Sequence, residues 1–269
     1  GKAGIFDKVV SRMNTMQNLG MAISGAVGGY LYTINNSLPF VLVSVFYMIG
    51  AIVALWLVEP IIDTEKYSWN AFISQNRAGF GQLFGKIDVR KMVIALLLPS
   101  VFMVATENVL SDATAMELGL NSVQLGIYAS VLFMVGVIFS ENTERILKMA
   151  RSQKIYMLLI GLYLTTLVLM PVAGLFFGIA MLFIRYAVQT VYDNYTSVSL
   201  NAAIESRYRA TTLSTYSLMR NIPYVIFATC IGVMMNLLTA KVFSMYFGLL
   251  LIGVLLLYSG MSRTIFLKK

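Results

Sequence analysis

The chain has 269 residues, 58% of them hydrophobic, with a mean hydropathy of +0.78 and a formal net charge of +8. That apolar share lies well above a soluble domain's. Histidine is absent and cysteine occurs once, as Cys230, which excludes Ser-His-Asp and Cys-His nucleophiles, the usual His-bearing metal sites and intrachain disulfides.

Eight nearly charge-free stretches follow one another, at 16–34, 38–58, 91–111, 121–140, 154–170, 171–200, 211–236 and 242–260. Each is about 17–30 residues, enough for a helix to cross a hydrocarbon core of about 30 Å. Backbone N–H and C=O groups find no water there, so runs of this length predict helices, and the fold class is an all-α polytopic membrane protein. Assigning the gaps alternately to two sides places all but three of the 20 Lys and Arg residues on one side. Lys241 lies alone on the other, and Arg185 and Arg220 lie inside spans. This bias predicts that the basic side is cytoplasmic, with both chain ends there, and it speaks against nucleic acid as the partner of the positive charge. The chain opens on Gly1 rather than Met, so a piece of a longer protein is expected.

The first span opens on Asn14, Gln17 and Asn18, which read as helix-end residues. It then carries Gly20, Ser24 and Gly28 at intervals of four, with Gly25 and Gly29 as a GxxxG pair beside them; such small residues let another backbone approach closely. Asn35-Asn36-Ser37 forms a turn, and Pro39 suits the first turn of the second span. Pro60 closes that span, and a longer polar interval over 60–90 divides the spans two and six. Within it Trp69, Phe72, Ile73, Phe80, Leu83, Phe84 and Ile87 recur at near-helical spacing. They fit a helix on the membrane surface, with Lys66, Arg77 and Lys86 at headgroups, or, given Gly79, Gly81 and Gly85, a solvated linker with a broken helix. Pro171 is expected to open the sixth span. Pro99 and Pro223 fall inside spans, where they free the carbonyls of Ala95 and Met219.

Ionisable groups at membrane depth cost about 2.5–3.5 kcal/mol on insertion scales, so they face a cavity or a partner. In the sixth span Arg185, Gln189, Tyr192 and Thr196 share a helical stripe, with Asp193 at its rim. Arg185 and Asp193 are about 12 Å apart along the axis, too far for a direct bridge. Glu107 and Asn108 in the third span are the candidates to meet Arg185, either as a structural pair or in substrate or proton binding; Asp112 reads as interfacial. In the seventh span Ser214, Ser217 and Asn221 share a face, and Arg220 is expected to pair with Asp193 or with the carbonyl that Pro223 frees.

The run from Gly20 to Gly29 resembles the fifth-helix GxxxGPxxGG motif of major facilitator superfamily transporters, with Ser24 in place of a Gly and Gly25 in place of the Pro. Asn201–Ser214, with Arg209-Ala210-Thr211 and Leu213-Ser214, resembles that superfamily's RATxLS segment between helices ten and eleven. Leu38-Pro39-Phe40 fits the same register, and Phe6–Arg12 resembles the loop after helix four. The superfamily's basic cytoplasmic loop motif is matched only by Glu144-Arg145.

The resemblance implies helices five to twelve of a twelve-helix transporter. Residues 1–59 would be the last two helices of the N-terminal bundle, 60–90 a cytoplasmic linker, and 91–269 the C-terminal six-helix bundle with a short tail. It further implies secondary transport of a small molecule in the plasma membrane by alternating access, with the motif in the first span leaning toward efflux of a drug or metabolite. Glu107, Asn108, Arg185, Gln189, Tyr192 and Asp193 would bind substrate or ion; Gly20, Ser24, Gly25, Gly28, Gly29, Arg209, Arg220 and Pro223 would serve structure or gating. Glu107 or Asp193 would carry a coupling proton, because a low dielectric favours a carboxylate's neutral form. No phosphate-binding loop is present, and neither a cofactor nor enzymatic activity is expected. Uptake by symport, a non-transporting scaffold or sensor, and a membrane-embedded enzyme are the alternatives.

Overall fold

The computed structural model describes residues 2–57, 68–149, 152–205 and 208–261, and the described residues contain helices and no strand. In chain order these are α1 (Lys2–Ile34), α2 (Leu38–Ala54), α3 (Trp69–Phe84), α4 (Ile87–Ala105), α5 (Ser111–Glu117), α6 (Ser122–Lys148), α7 (Ser152–Val168), α8 (Leu175–Ala203), α9 (Arg209–Leu238) and α10 (Ala240–Met261). A π-helical turn, Thr106–Leu110, joins α4 to α5, making one apolar helix of 31 residues. Among the described residues, five helices are long and apolar enough to cross a membrane: Ile87–Glu117, Ser122–Lys148, Leu175–Ala203, Arg209–Leu238 and Ala240–Ser259. Three shorter apolar helices, Leu19–Ile34, Leu38–Ala54 and Gln153–Val168, occupy the other three predicted spans.

Two local expectations are corrected. The Phe6–Arg12 segment is helical rather than a loop, because no Pro or Gly interrupts the backbone ladder between Ile5 and Asn18. Pro171 lies in a 3₁₀ turn, Met170–Val172, and not in the sixth span's first turn; Gly174 is extended and the helix starts at Leu175. Of the two readings of the polar interval, the segment 69–84 takes the helical one, unbroken at Gly79 and Gly81. Pro60, Lys66, Arg151, Arg207 and the tail 262–269 lie outside the described residues.

The chain divides into two units, Gly1–Phe72 with Leu120–Met134, and Ile73–Gly119 with Val135–Lys269. In the first, α1 and α2 are joined by a tight turn in which Asn35 Oδ1 accepts from the Ser37 N–H at 2.8 Å, and Pro39 occupies the first turn of α2. The GxxxG pair makes the close approach. A Cβ built on Gly126 of α6 would lie 2.5 Å from Gly25 O and 3.0 Å from Gly29 Cα. Ser130, one turn beyond, donates to Ala22 O at 2.5 Å. Gly20 and Gly28 have open space about them, and Ser24 donates to Met21 O of its own helix. The interlocking seam is therefore Gly25/Gly29 against Gly126/Ser130.

In the second unit, α4, α7, α8, α9 and α10 enclose a core that includes Val93, Met103, Tyr163, Leu167, Tyr192 and Leu251. Phe102 and Phe247 pack at a centroid distance of 4.6 Å. Gly79 and Leu83 of α3 are buried, and a Cβ on Gly79 would meet Thr215 Oγ1 at 2.7 Å, so the glycine lets α3 lie against α9. Pro99 deprives Ala95 O of its helical donor; Tyr156 of α7 supplies one at 2.9 Å. One residue on, Leu96 O accepts from Tyr192 of α8 and from Ser100, both at 2.8 Å, and Ser100 in turn meets Tyr216 of α9 at 3.0 Å. Hydroxyls from three neighbouring helices thus tie down the proline-broken turn.

At the far end of the same bundle, Thr239 alone separates α9 from α10, with φ 63°. A β-branched residue is strained there. Glu117 caps the start of α10 by accepting from the Lys241 N–H at 2.8 Å, and Lys241 Nζ donates to Ala173 O at 2.8 Å. These contacts hold the turn.

Candidate functional site within the membrane

The π turn places one extra residue in α4 where Glu107 and Asn108 sit, and both are exposed on the surface of the second unit. Widened turns of this kind recur at functional sites because they aim side chains that a regular helix would not. Asn108 Nδ2 donates to Val104 O at 2.8 Å, closing the turn on itself. Thr106, buried on the other side, bonds Met103 O and the Tyr163 hydroxyl.

Opposite this turn, α8 presents Gln189, whose Nε2 donates to Glu107 Oε2 at 2.6 Å. One residue past a full turn, Asp193 meets Arg220 of α9 through two bonds, 2.7 Å to Oδ1 and 3.1 Å to Oδ2. The geometry is the parallel fork that arginine makes with a carboxylate. Three helices therefore converge through Glu107, Gln189, Asp193 and Arg220. Ser214, Ser217 and Asn221 are exposed on a neighbouring face of α9, turned about 90° from Arg220 by helical spacing. Pro223 lies two residues past Asn221, inside the helix.

Arg185 goes elsewhere. It is 1% exposed, and its guanidinium bonds Thr166 O at 2.8 Å and the hydroxyls of Thr166 and Ser244 at 3.3 Å, on α7 and α10. Tyr192 is equally buried and spends its hydroxyl on Leu96 O. The structure thus joins Glu107 to Gln189 and Arg185 to the α7–α10 side of the bundle. Asp112 is exposed near the end of the span. Arg209 reaches back to Asn201 O at 3.4 Å, bridging the end of α8 and the start of α9.

Sequence reasoning missed Thr166 and Ser244, because an isolated hydroxyl in an apolar run carries no periodic signal. It also missed Gly126 and Ser130, although their spacing of four repeats the small-residue pattern of α1 and could have marked them.

Among the described residues, then, long apolar helices hold charged side chains at depth, and those charges are held by other helices: the protein is a polytopic helical membrane protein. Its sequence matches the family profile of the Major Facilitator Superfamily over residues 5–228, and the chain belongs to that superfamily. Its members are secondary transporters of small molecules. Neither the curated proteins nor the solved structures give a match.

Proposed function

We propose that the chain takes part in proton-coupled efflux of a drug or metabolite by alternating access, with its binding wall at Glu107, Asn108, Gln189, Asp193 and Arg220. The observation that supports this is the bonded set Glu107–Gln189 and Asp193–Arg220, drawn from three helices inside the spans. A carboxylate exposed at membrane depth is costly against lipid and is tolerated where water or a solute reaches it. Midplane sites of this kind lie where two helical repeats meet and rock about the ligand. Arg185 and Tyr192 then brace the wall from behind, since their polar atoms point into the bundle. Gly25 and Gly29 serve the packing of α1, and Arg209 the α8–α9 turn.

Residues 1–59 would belong to one bundle and 91–269 to the other, linked through 60–90, with both chain ends in the cytoplasm and the protein in the plasma membrane. Glu107 is the proton carrier of choice, because its described partner is a neutral amide whereas Asp193 already holds a guanidinium. The test is flux in proteoliposomes under an imposed proton gradient. Glu107→Gln is expected to abolish gradient-driven movement, and a protonophore to do the same to the wild type. Flux that ignores both treatments would sink the coupling.

A further inference from the structure

Among the described residues, the proposed wall carries an unbalanced negative charge. Asp193 and Arg220 cancel, each carboxylate oxygen meeting one guanidinium nitrogen. Glu107 Oε2 accepts from Gln189, which is neutral. The cation on α8, Arg185, shares the Gln189 stripe but is buried and bonded to Thr166 and Ser244. Lys241 is engaged at the far end with Ala173 O. Asp112, exposed beyond the π turn, adds acid rather than base. Charges here act in a poorly screened medium, so one uncompensated carboxylate dominates what the wall attracts.

Its surroundings narrow the ligand further. Asn108 beside Glu107, and Ser214, Ser217 and Asn221 on α9, are neutral and exposed, and Leu218 and Val225 flank them as exposed apolar side chains.

We propose that the transported solute is a monovalent organic cation with an apolar body, its positive charge set against Glu107 and its body against α9. This rests on the transport reading and adds the charge class of the substrate. It accounts for a polar wall that offers a carboxylate, neutral acceptors and apolar side chains, with its described guanidinium already committed to Asp193.

The experiment is equilibrium dialysis of the full chain in neutral detergent against tetraphenylphosphonium and, separately, tetraphenylborate, two probes of one shape and opposite charge. Saturable binding of the cation and none of the anion is expected. Glu107→Gln should weaken cation binding about tenfold, the order expected for losing a partly desolvated charge partner. Glu107→Asp, which keeps the charge, should retain most of it, and Glu144→Gln, an exposed carboxylate paired with Lys148, should change nothing. Equal or tighter binding of the borate, or wild-type affinity in Glu107→Gln, would overturn the proposal. The wild-type preference between the probes stands without any variant. Cation binding without flux in proteoliposomes would fail the transport reading alone, whereas Glu107-dependent flux of a solute with no binding of the phosphonium would fail the charge class alone.

Discussion

Arg220 and Asp193 show what a charge inside an apolar helix requires. Each side chain is only partly exposed, 20% and 33%, so each charge relies on the other for compensation. Removing one partner leaves the other unpaired in low dielectric, so Arg220→Gln and Asp193→Asn should each destabilise, and the double variant should cost less than the sum of the two. A double-mutant cycle read by thermal unfolding in detergent should give a coupling of about 0.5–3 kcal/mol. Additive effects would mean that the fork contributes no stability. Small residues allow an equally sharp contrast. Gly28 has open space, and alanine there should raise stability by about 1 kcal/mol through helix propensity alone. Gly126 faces the backbone of α1 at distances no Cβ tolerates, so Gly126→Ala should lower stability by about 1–3 kcal/mol. Equal melting temperatures for the two variants would show that the seam is not close-packed. The GxxxG spacing was legible in the sequence; which of two overlapping small-residue stripes meets a neighbour was not, because that depends on the rotation of α1 about its own axis.

Among the elements, α4 carries the proline, the braces and the π turn together. The sequence marks Pro99 and the carbonyl it frees, but not the donor, since Tyr156 is 61 residues away and only packing brings it near. Tyr156→Phe should leave Ala95 O without that donor and cost about 1–3 kcal/mol, the range for an unsatisfied buried acceptor. Pro99→Ala restores the helical N–H, so in that background Tyr156→Phe should cost much less. The same penalty in both backgrounds would show that the tyrosine acts by packing and not by its hydroxyl. The ends of α8, α9 and α10 fall within about four residues of the predicted spans, because charge-free length is set by bilayer thickness, whereas α6 runs on to Lys148, well past its predicted end at 140. The π turn left no such trace. Thr106–Leu110 has ordinary helical residues, and the extra residue shows only in the backbone bond from the Ser111 N–H to Thr106 O. The site was therefore half readable: the stripe on α8 placed Gln189 correctly opposite a third-span carboxylate, while Arg185, from the same stripe, turned to hydroxyls that no pattern announced.

At the scale of the whole molecule, orientation in the bilayer follows from charge distribution and is measurable without knowing a substrate. Lys and Arg retained on one side resist translocation, whereas the side holding Lys241 alone offers little resistance. Glu144 and Lys148, both well exposed at the end of α6, would then face the cytoplasm, and the turn at Thr239 with Lys241 would face outward. Cys230, exposed along α9, supplies the native thiol to remove first. In a Cys230→Ser background, Glu144→Cys should react with a membrane-impermeant maleimide only after the cells are opened. Thr239→Cys should react in intact cells. Labelling of both from outside would mean that the chain crosses the membrane in a different register, and labelling in the opposite order would invert the orientation. The inverted order would move both chain ends to the outer face and remove the basis for reading Glu107 as a carrier that releases its solute outward.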